Sequence, residues 1–396
     1  MAGDRDEEAS GGPPGPGEPL RLSLDVSAVP VHPVGAGQYT LELARQLAGR
    51  PDVDLVVVSR RRDGRRWAAM APGAGLVAGA PEWRPGRLAW EQVRLPHLLR
   101  REAVTVHHGP HYTMPEHAPV PSVVTVHDLS FFEAPEWHQR SKVLLFRRAI
   151  KVAARRAAVV LCPSRSTAEE LERWCQVKAP VVVAHHGVDL RRFGPTEPTP
   201  GSDAALLAGV DDRLVDGSPF LVFVGTLEPR KDVPTLVRAF AAVAGRHPDT
   251  RLVLAGGAGW GADRVEEAVA ASGLGSRILR TGYVPDEVIP ALLRAAEAAV
   301  YPALYEGFGL PALEALACGA RLVTTSGTAM EEVAAGAAVM VPPGDAGRLA
   351  GALEAVLDGE GADDARRQRG LAIAARHTWA ASADRHVEAY RQAAKR

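Results

Sequence analysis

Short apolar segments recur along almost the whole chain and alternate with stretches that have a helical pattern. In the first half these segments cover 21–29, 53–59, 103–107, 122–127, 158–164 and 180–185. In the second half they cover 219–225, 251–257, 277–283, 298–303, 320–325 and 337–343. Strands that are apolar on both faces are typical of parallel sheets covered by helices. The pattern therefore predicts an α/β protein with two doubly wound parallel sheets.

The length of 396 residues favours two domains rather than one. Residues 1–20 are acidic and rich in glycine and proline, which predicts a flexible tail. We assign 21–193 to an N-terminal domain, 194–218 to a linker and 219–375 to a C-terminal domain. The last stretch, 376–396, predicts a helix that either packs back on the N-terminal domain or packs as an ordinary helix of its own.

Composition excludes several classes of protein. The formal net charge of -1 and the pI of about 6.9 give no reason to expect nucleic acid as a partner. The three cysteines, Cys162, Cys175 and Cys318, are scattered, which argues against a zinc ribbon or a disulfide framework. No apolar run approaches the roughly 20 residues of a membrane-spanning helix, and the start lacks the apolar core of a signal peptide. We therefore expect a cytoplasmic protein.

The segment 301–319, YPALYEGFGLPALEALACG, is the most informative part of the chain. A buried strand is followed by a loop with Glu306, Gly307 and Gly309, and then by a helix that Pro311 opens. Glycines allow a ligand to approach the backbone, and a helix start offers free N–H groups and the positive end of a dipole. This combination predicts a site that holds a diphosphate without a cation.

Two glutamates, Glu306 and Glu314, are separated by seven residues in this segment. They are placed to hold hydroxyl groups at the two ends of an elongated ligand. The alternative is that Glu306 caps the helix and Glu314 lies on a solvated face. The glycines and the strand-loop-helix context favour the binding interpretation.

The segment 222–232, VFVGTLEPRKD, forms a second candidate loop at the end of the first strand of the C-terminal domain. It contains Gly225 and two cations, Arg230 and Lys231, which are suited to stabilise the charge that builds on a leaving diphosphate. The alternative is a solvated pair at a helix start. Cations there oppose the helix dipole, which favours the first interpretation.

In the N-terminal domain, Gly35 and Gly37 lie in a loop between the first strand and the first helix, and His127 ends the strand 122–127. On their own, the glycines fit a tight turn equally well and the histidine fits a structural role. His107 and His108 point to opposite faces of a strand, so we do not expect them to share a metal with His111.

These motifs resemble the retaining glycosyltransferases of family 4, whose GT-B fold has two facing Rossmann-like domains with an interdomain cleft. The resemblance extends from about residue 21 to residue 390. It implies that Glu306 contacts hydroxyls of the donor sugar and that Glu314 contacts the ribose of the nucleotide. It also places a run of backbone near the sugar and phosphates, formed by Gly307, Phe308, Gly309 and Leu310.

The resemblance assigns further roles in the same site. Lys231 matches the family lysine that neutralises the leaving diphosphate, whereas the usual arginine after the glycine is Thr226, so Arg230 is its candidate replacement. The loop with Gly35 and Gly37 is expected over the donor phosphates, and a histidine such as His127 near the donor sugar. The predicted catalytic residues are His127, Glu306, Lys231 and Arg230.

The implied reaction transfers a hexose, with GDP-mannose as the first candidate donor, to a saccharide, lipid-linked or small-molecule acceptor. The family is thought to use front-face attack, in which the leaving phosphate accepts the acceptor proton, and no metal or other cofactor. Two alternatives remain open: a GT-B epimerase of nucleotide sugars, and a non-catalytic subunit that binds a sugar nucleotide.

The segment 141–159 predicts a helix with a basic face that includes Arg147, Lys151 and Arg155. Such a face either contacts anionic lipid headgroups or is simply solvated.

Overall fold

The computed structural model describes residues 18–359 and 364–396, which group into two compact units. Of the described residues, the first unit contains those up to His185 together with Trp379–Arg396, and the second contains those between His186 and Thr378. Most of the predicted tail, residues 1–17, lies outside the described residues.

The first unit is built on a seven-stranded sheet in which every neighbouring pair is parallel. Its strands are β1 (Leu20–Asp25), β2 (Val53–Arg60), β3 (Gly75–Ala80), β4 (Val106–Gly109), β5 (Ser122–Thr125), β6 (Val159–Cys162) and β7 (Val181–Val183). Its helices up to His185 are α1 (Ala36–Ala48), α2 (Gly64–Met70), α3 (Arg84–Val93), α4 (Leu95–Arg101), α5 (Ser130–Glu133), α6 (Arg140–Arg156) and α7 (Arg165–Trp174).

The second unit is built on a six-stranded parallel sheet. Its first helix is α8 (Ser202–Ala208), and its strands are β8 (Phe220–Val224), β9 (Arg251–Ala255), β10 (Ile278–Gly282), β11 (Ala298–Tyr301), β12 (Leu322–Thr325) and β13 (Val339–Val341). Its other helices are α9 (Val233–Val243), α10 (Ala262–Ser272), α11 (Val288–Ala295), α12 (Leu310–Ala317), α13 (Ala329–Ala334), α14 (Ala346–Leu357) and α15 (Asp364–Arg376).

The central strands are buried on both faces, as their apolar sequences predict. All five residues of β8 and all four residues of β5, β6, β11 and β12 are buried. Burial of successive residues requires cover on both sides of a sheet, because neighbouring side chains on a strand point to opposite faces. The prediction of an α/β protein with two parallel sheets is therefore confirmed.

The predicted linker 194–218 differs from what the structure shows. The division falls after His185, so this segment lies in the second unit. Its Leu207 and Leu214 are buried in the core of that unit, and Asp203 accepts hydrogen bonds of 2.6 and 2.7 Å from Arg294. These apolar contacts and this ion pair make it part of the second unit rather than a linker.

The last helix, α16 (Trp379–Ala394), groups with the first unit and is fixed there by a chain of buried hydrogen bonds. Tyr390 lies 2.8 Å from Nδ1 of His108, whose Nε2 lies 2.8 Å from Thr125. The hydroxyl of Tyr39 lies 2.9 Å from the hydroxyl of Thr125 and 2.7 Å from Nε2 of His386, so it links these two residues. Because Nδ1 of His386 donates to a backbone carbonyl of its own helix, every group in this chain can be satisfied with both histidines neutral.

Each sheet contains one point at which the strand order reverses. The order is β3-β2-β1-β4-β5-β6-β7 in the first sheet and β10-β9-β8-β11-β12-β13 in the second. The reversals therefore fall between β1 and β4 and between β8 and β11. Ligands of open parallel sheets bind beyond the carboxyl ends of the strands at such switch points.

Candidate active site

The loop after β8 positions a buried lysine against a glycine. Gly225 has a φ of 146°, and a Cβ atom there would lie 2.8 Å from Nζ of Lys231. The chain returns to this point through a 3-10 turn, Pro229–Lys231, and Asp232 adopts the left-handed conformation before α9 begins. Only glycine leaves room for the ammonium group at this strand end.

The loop after β11 lies beside the first one at the switch point of the second sheet. The backbone N–H of Leu304 donates to the carbonyl of Arg230 at 2.8 Å, which joins the two loops directly. Gly309 caps α12 with a φ of 96°, and a Cβ atom there would lie 2.7 Å from Cγ of Met330. The helix begins at Leu310, which confirms the prediction that Pro311 lies in its first turn.

Three of the predicted catalytic residues are brought together in these loops. A guanidinium nitrogen of Arg230 lies 2.7 Å from Oε1 of Glu306, and Nζ of Lys231 lies 3.7 Å from the same oxygen. The side chains of Lys231 and Glu306 are only 11% and 10% exposed. Glu228, which is more exposed, holds Arg230 from the other side at 3.0 Å. Two cations therefore lie against one buried carboxylate in these loops, and their predicted contact with a diphosphate stays a prediction.

The protonation of this cluster follows from burial and from the neighbouring charges. Burial lowers the pKa of Lys231, although Glu306 opposes this effect. Burial alone would raise the pKa of Glu306, but the positive charges of Arg230 and Lys231 outweigh it and lower that pKa. The cluster therefore holds Glu306 as a carboxylate.

Glu314 lies in α12, the helix that follows the Glu306 loop, and has no ion pair with Arg230 or Lys231. It is partly buried, and burial raises its pKa to about 7, with the positive charge of Arg192 acting in the opposite direction. The hydroxyl of the neighbouring Tyr301 is buried and has no hydrogen-bond partner among the described residues. A carboxyl group of this kind can both donate to and accept from a ligand hydroxyl near neutral pH.

Sequence reasoning missed the part that a third loop plays. The loop after β9, residues 256–261, packs its glycines against the backbone of the lysine loop. A Cβ atom added at Gly256 would lie 2.1 Å from the carbonyl oxygen of Gly225. A Cβ atom added at Gly259 would lie 2.8 Å from the carbonyl oxygen of Leu227. The sequence signal is the glycine-rich run GGAGWG at 256–261, of which the strand pattern includes only the first two residues.

In the first unit, the predicted glycines differ in their surroundings. Gly35 precedes α1 with a φ of 51° and has open space where a Cβ atom would lie. A Cβ atom at Gly37 would lie 3.1 Å from Cβ of Pro33. The first position can therefore admit a ligand, while the second is needed for packing of the loop. Their predicted contacts with a donor stay predictions.

His127 lies at the end of β5 and is buried, with 8% of the residue exposed. Its Nε2 donates to the carbonyl of Pro110 at 2.7 Å, and its ring packs edge-on against Tyr39 at 5.0 Å. Burial lowers its pKa, so it is a neutral histidine at physiological pH.

The other histidines have separate partners. His107 contacts Ser23 at 2.7 Å, whereas His108 contacts Thr125 and Tyr390. Within residues 18–359 and 364–396, no group of three or more histidine, cysteine or acidic side chains is arranged to hold a metal ion.

The predicted basic helix is α6, and its apolar side packs inward through Val143 and Ile150. Several of its cations already have protein partners. Arg147 donates to the carbonyl of Phe131, and Arg148 pairs with Glu116. Membrane contact stays a prediction. In the described part of the chain, no helix combines the length and apolarity needed to cross a bilayer.

Two family models match consecutive parts of the chain. The model described as Glycosyltransferase Family 4 matches residues 33–192, and the model described as Glycosyl transferases group 1 matches residues 211–374. Together they cover the second sheet, every strand of the first sheet except β1, and all three loops of the candidate site.

Curated relatives match over most of their length. The O-antigen chain mannosyltransferase B of Escherichia coli is 28% identical over 380 residues, which cover 90% of this chain and 96% of that protein. The D-inositol 3-phosphate glycosyltransferase of Salinispora tropica is 30% identical over 348 residues, which cover 78% of this chain and 71% of that protein.

The fold is shared with solved structures. HepE of Anabaena, solved in complex with UDP-glucose, has a TM-score of 0.72 and 19% identity, over 93% of this chain and 98% of that one. This likeness shows the fold, which is GT-B. Together with the two family models and the relatives, it shows that the chain belongs to glycosyltransferase family 4.

Proposed function

We propose that this glycosyltransferase moves a hexose, with mannose as the first candidate, from a nucleoside diphosphate sugar to a saccharide, lipid-linked or small-molecule acceptor. The name of the Escherichia coli relative supports mannose. The complex of HepE with UDP-glucose supports a nucleoside diphosphate sugar as donor and makes UDP-glucose the competing candidate.

The observation that carries this proposal is the buried ammonium of Lys231 beside Gly225, at the switch point of the second sheet. A lysine has three N–H donors, and here one carboxylate oxygen, from Glu306, lies 3.7 Å away. The diphosphate of a donor would use the remaining donors. Glu306 would then be left to accept from the hydroxyls of the transferred sugar.

The proposed reaction breaks the bond between the anomeric carbon and a diphosphate oxygen. Negative charge then grows on that oxygen, and Lys231 and Arg230 stabilise it because they are already fixed in place. The acceptor hydroxyl forms its new bond on the same face of the sugar, and its proton passes to the leaving phosphate oxygen. The configuration is therefore retained, and we propose that the fixed cations make a divalent metal unnecessary.

The proposal is tested by donor binding and turnover of the purified chain. GDP-mannose, or UDP-glucose in its place, should raise the melting temperature, because a ligand that binds only the folded state stabilises it. The true donor should also release nucleoside diphosphate in the presence of EDTA. Lys231→Ala and Glu306→Ala should lose this release, whereas Lys178→Ala, at an exposed lysine, should retain it.

Three results would contradict the proposal. The first is turnover that survives in both site variants. The second is strict dependence on manganese. The third is a product whose one-bond coupling between the anomeric carbon and its proton, measured by NMR, shows inversion rather than retention.

A further inference from the structure

The segment 189–195, at the start of the second unit, lies beside two helices of that unit, α11 and α12. Arg294 of α11 donates to the carbonyl of Gly194 at 3.0 Å. The thiol of Cys318, the residue that follows α12, is hydrogen-bonded to the backbone of Gly194. These contacts fix the segment next to the helix that carries Glu314.

Arg192, in this segment, is bound to the loop after β10, residues 283–287. One guanidinium nitrogen donates to the carbonyl of Asp286 at 2.6 Å, and another lies 3.7 Å from the carboxylate of the same residue. The guanidinium also lies over the ring of Phe193, 4.6 Å from its centroid, and Phe193 is buried in the core of the second unit. Arg192 therefore anchors the loop after β10 to that core.

The same guanidinium acts on Glu314. Glu314 lies one helical turn before Cys318, so both side chains are on the side of α12 that faces the segment. The positive charge of Arg192 opposes the effect of burial on Glu314. Within the described residues, no hydrogen bond or ion pair joins Arg192 to Glu314. Arg192 therefore acts on this carboxyl group through its charge and leaves the carboxyl oxygens to a ligand.

We propose that Arg192 is a positioning residue of the donor site, which anchors the loop after β10 and keeps Glu314 as a carboxylate for the ribose of the nucleotide. The inference rests on the proposed transferase function and adds a residue that controls how its donor is held. A carboxylate accepts from both ribose hydroxyls through charge-assisted hydrogen bonds, which are stronger than those of a neutral carboxyl group. Loss of the Arg192 charge should therefore weaken ribose binding at neutral pH and below, and have little effect at high pH.

Several other ionisable groups face Glu314. They are Lys231 in the loop after β8, Asp286 in the loop after β10, Tyr301 in β11 and Cys318 after α12. Burial raises the pKa of Glu314 to about 7, an effect that Arg192 and Lys231 oppose and that Asp286 increases. Burial also raises the pKa of Tyr301 well above its usual value and that of Cys318 to about 12, so neither group ionises near neutral pH. A change in ribose binding near pH 7 therefore reports on Glu314.

The test compares two ligands that differ only in the ribose hydroxyls. Calorimetry with the full chain would give the Kd of GDP or UDP, whichever binds the wild type more tightly, and the Kd of its 2′,3′-dideoxy form. The measurements would run from about pH 5.5 to about pH 8.5. Both ligands have the same diphosphate, so the ratio of the two Kd values cancels its ionisation. For the wild type, we expect the preference for the ribose form to increase as pH rises through about 7, as Glu314 ionises.

Removal of the Arg192 charge and removal of its acidic partner should move this profile in opposite directions. For Arg192→Met we expect a midpoint about one pH unit higher and a preference at pH 7 about fivefold lower, because a nearby positive charge favours an ionised carboxyl group. Arg192→Lys keeps the charge and should keep the wild-type midpoint. Asp286→Asn should lower the midpoint. Arg191→Met is the control, because the Arg191 side chain is 90% exposed, and it should leave the profile unchanged.

Several results would overturn the inference. They are a wild-type preference that does not change with pH, an Arg192→Met profile equal to that of the wild type, an equal displacement in Arg192→Met and Arg192→Lys, which would indicate a merely structural role, and a higher midpoint in Asp286→Asn. Asp286 is exposed, so its variant still tests the inference if methionine at Arg192 prevents folding.

Failure of the transferase proposal would appear in a different measurement. A wild type that shows the expected profile, but releases no nucleoside diphosphate from any donor, would contradict the transferase proposal and not the assignment of Arg192. A wild type that binds neither GDP nor UDP would overturn both.

Discussion

Replacement of Lys231 by methionine removes one buried positive charge and keeps most of the side chain's volume. The ammonium lies 3.7 Å from Glu306 and fills the space that a Cβ atom at Gly225 would occupy. Arg230, at 2.7 Å, stays as the ion partner of Glu306 in the variant. The substitution therefore isolates the contribution of one cation without leaving the carboxylate unpaired.

The expected loss of activity follows from the distance and the burial. Two unit charges about 4 Å apart interact by about 4 kcal/mol at an effective dielectric constant of about 20. Only the part that grows as the bond to the diphosphate breaks accelerates the chemical step. Removal of one such fixed group typically lowers kcat by about 10² to 10³, and we expect a loss of this size for Lys231→Met.

The Lys231→Met variant should be more stable than the wild type, although it is less active. Because burial lowers the pKa of Lys231, the folded state holds this cation at a cost, which a methionine avoids. The measurements are release of nucleoside diphosphate and thermal unfolding, with Lys178→Met as the control at an exposed lysine. The reasoning is refuted if the variant keeps more than a tenth of the wild-type kcat, or if the melting temperature falls as activity is lost.

Three further predictions concern single residues. Gly225→Ala places a Cβ atom 2.8 Å from Nζ of Lys231, so calorimetry should show about tenfold weaker binding of nucleoside diphosphate, and an unchanged Kd would contradict the packing argument. Burial raises the pKa of Glu314 to about 7 from 4.5, so the wild type should lose about 3 kcal/mol of unfolding free energy as pH rises through this range. In urea unfolding at pH 5 and pH 8, the Glu314→Gln variant should not show this loss of unfolding free energy. An equal loss in the wild type and the variant would refute the assignment to Glu314. His386→Phe leaves the Tyr39 hydroxyl without one of its partners and should cost about 2 kcal/mol by the same method; a cost near zero would show that the buried network contributes little.

The fold could be predicted because its strongest signal is local. Strands buried on both faces must be almost wholly apolar, and this composition is visible without knowledge of their partners. The edge strand β3, Gly75–Ala80, was missed because half-exposed strands need no such run, and its sequence, GLVAGA, is weakly apolar. The strand predicted at 103–107 is observed at Val106–Gly109, since the turn at Ala103 takes a positive φ of 49° that no pattern indicates.

Site residues could be predicted where a single loop carries the charged side chains. They could not be predicted where the site depends on contacts between several loops. Glu306 and Lys231 lie in motifs that can be recognised separately, and the structure brings them within 3.7 Å. The glycines of 256–261 have no chemistry of their own, so only contact with the carbonyl of Gly225 reveals their function. Likewise, Glu91 appears as an ordinary helical charge until the structure shows that it is buried and accepts a hydrogen bond from Thr113, in the loop after β4.

The two switch points differ in a way that their strand order alone does not explain. Both sheets reverse next to their first strand, so topology offers each a ligand site at the same kind of edge. At the second sheet, Lys231 and Arg230 contact one buried carboxylate, which suits an anion. At the first, the charge of Arg87 interacts with those of Asp25, Glu91, Arg60 and Arg84, and burial raises the pKa of both carboxyl groups. The same backbone architecture can therefore carry different charges at its two switch points, because the loops and one helix, rather than the strands, set the charge at each edge.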